Sequence, residues 1–186
     1  HILAGTGDDQ VTGGNGNDVI SGGFGDDKLW GNTGDDIISG DEGNDTIAGG
    51  QGNDTVDGGI GNDTIVGGPG QDTMTGGLGS DTFVFDFSAN ASASVDIATA
   101  STITDFSVLD GDRIMLSGTD ANTSVDGDQA FTFIGDSAFG NVAGELRAQV
   151  TGGNTYLYGD QNGDGSADFV IRLDGAVSLH ASDLVL

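Results

Sequence analysis

Nine aspartates recur at nine-residue intervals in this 186-residue chain: Asp9, Asp18, Asp27, Asp36, Asp45, Asp54, Asp63, Asp72 and Asp81. Each stands two residues after a glycine and two before an apolar residue (Val11, Ile20, Leu29, Ile38, Ile47, Val56, Ile65, Met74, Phe83). Two kinds of chemistry suit a carboxylate in a glycine-rich loop. Asp favours turns by bonding its own backbone, and a carboxylate beside free carbonyls supplies the hard oxygen ligands that Ca²⁺ takes. Turn formation alone does not require the same residue nine times, so the cation reading is preferred. Other chemistries are excluded by composition. The chain has no Cys, and its two histidines are His1 and His180, so thiol catalysis, disulfides and a His-rich zinc site are out. No HExxH occurs. His180 stands near Ser182 and Asp183, but neighbours in sequence do not make a triad, which needs spatial convergence. With 30 Asp+Glu against 4 Lys+Arg and a net charge of -26, the chain lacks the basic patch that nucleic acid or an anionic surface requires. No stretch approaches the roughly 20 apolar residues of a membrane span.

The elements that must position these aspartates follow from the same period. From Ala4 to Val84 the chain divides into nine blocks of nine, from AGTGDDQVT to GGLGSDTFV, holding 24 of the 36 Gly. Position four is Gly, position six Asp and position eight apolar throughout. An apolar residue with a polar or outward-capable neighbour on each side suits a three-residue strand with its centre facing inward. The glycine-rich hexapeptide before it suits a tight turn with several positive φ angles. Turn plus strand makes half a coil, and two halves close one circuit of a solenoid, the nonapeptide parallel β-helix pattern.

The blocks resemble the GGxGxDxUx repeats of RTX (repeats-in-toxin) exoproteins. The resemblance implies an all-β fold, a parallel β-roll (β-solenoid) over residues 4–84, capped by a β-sandwich-like region over 85–186. It also implies one Ca²⁺ between turns two blocks apart, held by the Asp of each turn and by backbone carbonyls. The earlier turn gives carbonyls from positions two and four: Gly5 and Gly7, Gly14 and Gly16, Gly23 and Gly25, Asn32 and Gly34, Asp41 and Gly43, Gly50 and Gly52, Gly59 and Gly61. The later turn gives those of positions one and three: Gly22 and Phe24, Gly31 and Thr33, Gly40 and Glu42, Gly49 and Gln51, Gly58 and Ile60, Gly67 and Pro69, Gly76 and Leu78. On one side Asp9 pairs with Asp27, Asp27 with Asp45, Asp45 with Asp63 and Asp63 with Asp81. On the other Asp18 pairs with Asp36, Asp36 with Asp54 and Asp54 with Asp72. About seven ions follow. Ala4 replaces the first Gly of its block, and Asn32 and Asp41 replace the second; Asn and Asp tolerate the left-handed backbone.

The metal has a physical reason. Coils stack about 4.8 Å apart, and unit charges about 4 Å apart repel by about 4 kcal/mol at an effective dielectric near 20. One inward side chain per short strand supplies little core, so metal-binding energy must be a large part of folding energy.

Outward positions are more open. Thr46, Thr64 and Thr82 would stack on one sheet, Thr55 and Thr73 on the other, with Trp30 a lone outward aromatic. A glycan-binding face and ordinary exposed strand residues both fit. Residues 85–186 read as short strands over Thr82–Phe87, Asp112–Leu116, Ala130–Ile134, Gly144–Val150, Thr155–Tyr158 and Phe169–Leu173, the fourth and fifth forming a hairpin. Their aromatics suit a cap for the open end of the roll. This half resembles the C-terminal region of serralysin-family secreted metalloproteases at Thr104-Asp-Phe106, Gly111-Asp-Arg-Ile114, Asp128 to Gly135, Gly144-Glu-Leu-Arg147, Tyr158-Gly-Asp160 through Asp168-Phe169, and the last four residues. The catalytic half of that family is absent. Asp160, Asn162 and Asp164, with Gly165, imitate the start of an EF-hand loop, but Ile171 stands where its bidentate Glu belongs. Asp168 would close a further Ca²⁺ site there, or the segment is a plain turn.

The resemblance makes Asp183, Leu184, Val185 and Leu186 a type I secretion signal. The chain begins with His and no signal-peptide core follows, so it is expected to be a piece of a longer protein. The expected partners are an N-terminal domain of that parent and the type I secretion machinery, with a glycan as a further candidate. The expected setting is extracellular, where Ca²⁺ near the ~10⁻⁴–10⁻³ M range of extracellular modules would fold it. The module itself carries no catalytic motif; the rival functions are a glycan- or surface-binding RTX module and the C-terminal half of a serralysin-like protease.

Overall fold

The computed structural model describes residues 1–87, 96–116, 118–122, 125 and 129–186; Asp128, the first residue of one stretch quoted above, lies outside them. The repeats build ten strands: β1 (Ile2–Thr6), β2 (Gln10–Asn15), β3 (Val19–Phe24), β4 (Lys28–Thr33), β5 (Ile37–Glu42), β6 (Thr46–Gln51), β7 (Thr55–Ile60), β8 (Thr64–Val66), β9 (Thr73–Leu78) and β10 (Thr82–Val84). Odd and even strands separate into two parallel sheets, each strand pairing with the one two blocks on. The register steps by one coil: Val11 lies beside Leu29, Leu29 beside Ile47, and Ile38 beside Val56. Every position-eight residue is buried, so the core is two columns of single side chains, one from each sheet.

The strands are longer than the three residues expected from the sequence. Most run six, from position seven of one block through position three of the next. The reason lies in position one, whose glycine also faces inward and is buried at Gly22, Gly31, Gly40, Gly49, Gly58, Gly67 and Gly76. Glycine reads as a turn residue in sequence, yet here it continues the strand where no side chain fits. Only positions four to six make the turn. Asn32 and Asp41 take φ of 76° and 74°, so both adopt the left-handed backbone that their side chains tolerate.

The remaining strands are β11 (Ser101–Ile103), β12 (Arg113–Met115), β13 (Thr132–Phe133), β14 (Glu145–Thr151), β15 (Asn154–Asp160), β16 (Phe169–Leu173) and β17 (Leu184–Val185). They extend the roll's own sheets. One sheet runs β1-β3-β5-β7-β9-β11-β16-β15-β14-β13, the other β2-β4-β6-β8-β10-β12-β17. The expected hairpin is β14–β15, turning through Gly152 and Gly153 at φ of 62° and 86°, as a two-residue type I′ turn demands. Phe83 ends its core column against Phe106, and Phe87 stacks on Phe169 at 4.2 Å between centroids. These rings close the end of the roll as a cap must.

Because each coil's core is one side chain per strand, truncating one should be costly. Leu29→Ala, at a fully buried site, is expected to destabilise the calcium-loaded protein by roughly 2–5 kcal/mol. Exposed Thr46→Ala is expected to change it by less than about 0.5 kcal/mol. Denaturant unfolding in excess Ca²⁺ checks both.

Candidate metal centre

Seven of the nine repeat aspartates are fully buried, and Asp9 and Asp18 are half-buried. One oxygen of each carboxylate past the first coil is engaged. Asp27 Oδ1 accepts the backbone N–H of Asp9 at 2.7 Å, and the same bond joins 27 to 45, 45 to 63 and 63 to 81. On the other sheet it joins 18 to 36, 36 to 54 and 54 to 72. All seven pairs that the resemblance implied are therefore stacking neighbours. The second oxygen, Oδ2, is buried without a hydrogen-bond partner in Asp9, Asp18, Asp27, Asp36, Asp45, Asp54, Asp63 and Asp81. A buried polar atom is normally satisfied, and a buried charge left alone is expensive. Eight such atoms in register mark a common missing partner.

The surroundings fit a cation. A Cβ built on Gly13 would lie 2.8 Å from Asp18 Oδ2 and 3.0 Å from the Gly31 carbonyl oxygen. The same pairing recurs at Gly22 (Asp27, Gly40), Gly31 (Asp36, Gly49), Gly40 (Asp45, Gly58), Gly49 (Asp54, Gly67) and Gly58 (Asp63, Gly76). Six of the eight unpartnered carboxylate oxygens thus share a small cradle with the position-one carbonyl of the next coil, oxygen chemistry that suits Ca²⁺. No three His, Cys, Asp or Glu side chains converge to hold a metal among the described residues, so any ion here takes much of its shell from backbone carbonyls. The position-three carbonyls of Phe24, Thr33, Glu42, Gln51, Pro69, Ile60 and Leu78 each accept the N–H of the position-four glycine one coil earlier. That leaves each one further lone pair.

Position five is a second ladder that sequence reading missed. Asp8, Asn17, Asp26, Asp35, Asn44, Asn53 and Asn62 each accept through a side-chain oxygen the N–H of position five in the next coil on their side. It runs opposite in direction to the buried Asp ladder. The signal was present, since position five is Asp, Asn, Gln or Ser in every block.

The other candidates behave differently. Asp160, Asn162, Asp164 and Asp168 do come together. Both oxygens of Asp160 accept backbone N–H groups, from Gly163 and Gly165, and Asp168 accepts those of Gln161 and Asn162 and the Asn162 amide. Asn162 accepts from Asp164 and Asp164 from Ser166. This loop closes on its own hydrogen bonds, unlike the repeat turns. Asp183 accepts from the His180 backbone and from Ser182 Oγ, so the Ser hydroxyl points to the acid and no triad forms. Leu184 and Val185 pair with Ile114 and Met115 at a sheet edge, and Leu184 is buried.

A family model, the RTX calcium-binding nonapeptide repeat, matches in four copies at residues 1–29, 22–56, 30–65 and 48–83. The repeat tract belongs to these hemolysin-type calcium-binding repeats and folds as their parallel β-roll. The match leaves the likeness of residues 104–186 to serralysins an inference from sequence. No curated protein matches the chain. Among solved structures, it is similar to two subunits of the Azotobacter vinelandii mannuronan C5-epimerase. The AlgE6R3 subunit is 24% identical with a TM-score of 0.39, over 98% of this chain and 79% of that one. The AlgE6R2 subunit is 26% identical with a TM-score of 0.43, over 92% and 91%.

Burial pushes the Asp63 carboxyl up to about 7, with the charges of Asp81 and Asp45 adding and the N–H bond from Asp45 opposing. Burial likewise raises Asp72 and Asp81 to about 6. Raised carboxyls favour the fold when protonated. That contribution is full below their ordinary value near 4 and is lost as pH rises through about 6 to 7. In chelator the protein is therefore expected to gain β structure between pH 8 and pH 5. Over the same range its Ca²⁺ midpoint should rise, because protons compete for these carboxylates. Circular dichroism at the two pH values checks both trends.

Proposed function

We propose that this chain is a calcium-dependent folding module of an exported protein. The observation that carries it is the register of buried, unpartnered Asp Oδ2 atoms, six of the eight beside a carbonyl oxygen of the neighbouring coil. The nine repeat aspartates are the carboxylate ligands of this reading, with the carbonyls of positions one to four completing each shell. Seven ions would offset about half of the net charge of -26 and tie each coil to the next. Low cytosolic Ca²⁺ would keep the roll unfolded until it reached the exterior. Among the described residues no helix is long and apolar enough to cross a membrane. The reading extends to a type I export role for Asp183–Leu186, supported by their acidic-then-apolar pattern, and to a partner domain in a longer parent.

A second reading, a glycan-binding face, is favoured by one observation. On the outer face of the even-strand sheet, position nine aligns Trp30, Ala48, Val66, Val84, Met115 and Val185. Position seven beside them aligns Gln10, Lys28, Thr46, Thr64, Thr82 and Arg113. Neither row holds an acid. A half-buried apolar stripe with two of the four cations is unusual in so acidic a chain, and a carbohydrate could lie along it against Trp30. Quenching or shift of Trp30 fluorescence by neutral oligosaccharides probes this reading without touching the metal sites.

Far-UV circular dichroism during a Ca²⁺ titration, with Mg²⁺ as control, tests the first proposal. A cooperative gain of β signal with Ca²⁺ alone is expected, and Asp63→Asn should weaken it at a site central to one column. A protein already fully folded in excess chelator would overturn the proposal.

A further inference from the structure

The two aspartate columns end differently where the roll meets its cap. On the odd-strand side, the N–H of Asp72 reaches Ser101 Oγ at 3.0 Å, and the same hydroxyl lies 3.5 Å from Asp72 Oδ2. Serine closes that column, and Asp72 is not left with an orphaned oxygen. On the even-strand side the N–H of Asp81 instead reaches Asp112 Oδ1 at 2.9 Å, and Arg113 N–H bonds the Asp81 carbonyl. This repeats the Asp-to-Asp bond of the roll, although Asp112 lies outside the nine blocks. Thr82 and Phe83 sit beside Arg113 and Ile114 as one repeat sits beside the next. Asp81 is 1% exposed, and its Oδ2 is buried with no partner.

We infer that a further Ca²⁺ site lies at this junction, between Asp81 and Asp112. The inference rests on the calcium reading of the repeats and extends it to residues that the repeat pattern does not include. Asp81 Oδ2 and the Asp112 carboxylate stand in the two acidic roles, and backbone carbonyls of the 105–111 loop complete the shell. Asp112 is itself 5% exposed, and its Oδ2 accepts the N–H of Ser107 at 2.8 Å, which fixes the loop around it. Asp105 occupies the place of a position-one glycine, and its carboxylate accepts the N–H groups of Gly76 and Gly77 at 2.9 and 2.8 Å. A Cβ on Gly76 would meet Asp81 Oδ2, so Asp105 brings a third negative charge to the neighbourhood of that oxygen. The junction is thus as acidic as the repeat turns, and no Lys or Arg side chain is hydrogen-bonded or ion-paired there among the described residues. The even-strand column then holds five sites, one more than its four repeat pairs supply.

Counting bound ions by native mass spectrometry at saturating Ca²⁺ tests this. Asp112→Ser recreates the serine that closes the other column and is expected to bind one ion fewer than the parent while keeping its β signal. An unchanged count in folded Asp112→Ser overturns the inference. Should that variant not fold, anomalous diffraction from crystals of the unaltered protein grown in Ca²⁺ decides. The expected result is a peak about 2.3–2.6 Å from Asp81 Oδ2 on the Asp112 side; peaks at the repeat pairs with none there would overturn it. A protein that binds no ions at all would instead overturn the calcium reading of the roll, and this inference with it.

Discussion

The carboxylate oxygen that no hydrogen bond reaches governs this structure. In each coil Asp Oδ1 accepts an N–H from the coil before, which locks the stacking register. Oδ2 of the same residue is then buried, and in eight of the nine aspartates no protein group bonds it. Stacking the coils about 4.8 Å apart brings these charges into a column, and the burial that makes the column regular also raises the pKa of Asp45, Asp54, Asp63, Asp72 and Asp81. The fold can be protonated, metal-bound or lost. Near neutral pH, only the metal both neutralises the charge and adds bonds between coils.

Every other feature of the repeat accommodates that oxygen. Position one is glycine in every block after the first, where a Cβ would meet the Asp Oδ2 of its own turn. The loss of side chains there thins the core to one apolar residue per half-coil, so the roll has little hydrophobic energy of its own. The outer ladder of position-five Asp, Asn, Gln and Ser residues supports the turns from the solvent side. The cap answers a different need. Its phenylalanines cover the last core side chains, and its strands continue both sheets, so the final coil is not left with an open edge.

The repeat was legible because its period is fixed and its chemistry is local. Asp at position six and an apolar residue at position eight marked the half-coil, and the RTX resemblance they carry implied the pairs that the hydrogen bonds join. What sequence missed was set by three-dimensional context. The length of the strands depends on buried glycines that resemble turn residues. Ser101–Ile103 and Leu184–Val185 become strands because they dock on sheets already formed, and so short a segment carries no periodicity of its own. Asp112 gave no repeat signal, because two additional residues in its loop break the nine-residue spacing; the hydrogen bond from Asp81 and the strand register beside it show that it continues the column. The segment Asp160–Asp168 illustrates the converse. Its spacing looked like a metal loop, but its oxygens are met by backbone N–H groups.

Amide hydrogen exchange measured residue by residue, in Ca²⁺ and in chelator, tests the dependence of the roll on its buried carboxylates most directly. The N–H groups of Asp27, Asp36, Asp45, Asp54 and Asp63 are each bonded to the carboxylate of the next coil. They should be strongly protected with Ca²⁺ and exchange near the unfolded rate without it at pH 7 to 8. Protection of these amides that persists in chelator at that pH would contradict the account, because the stacked carboxylates would then be stable in the interior without a cation.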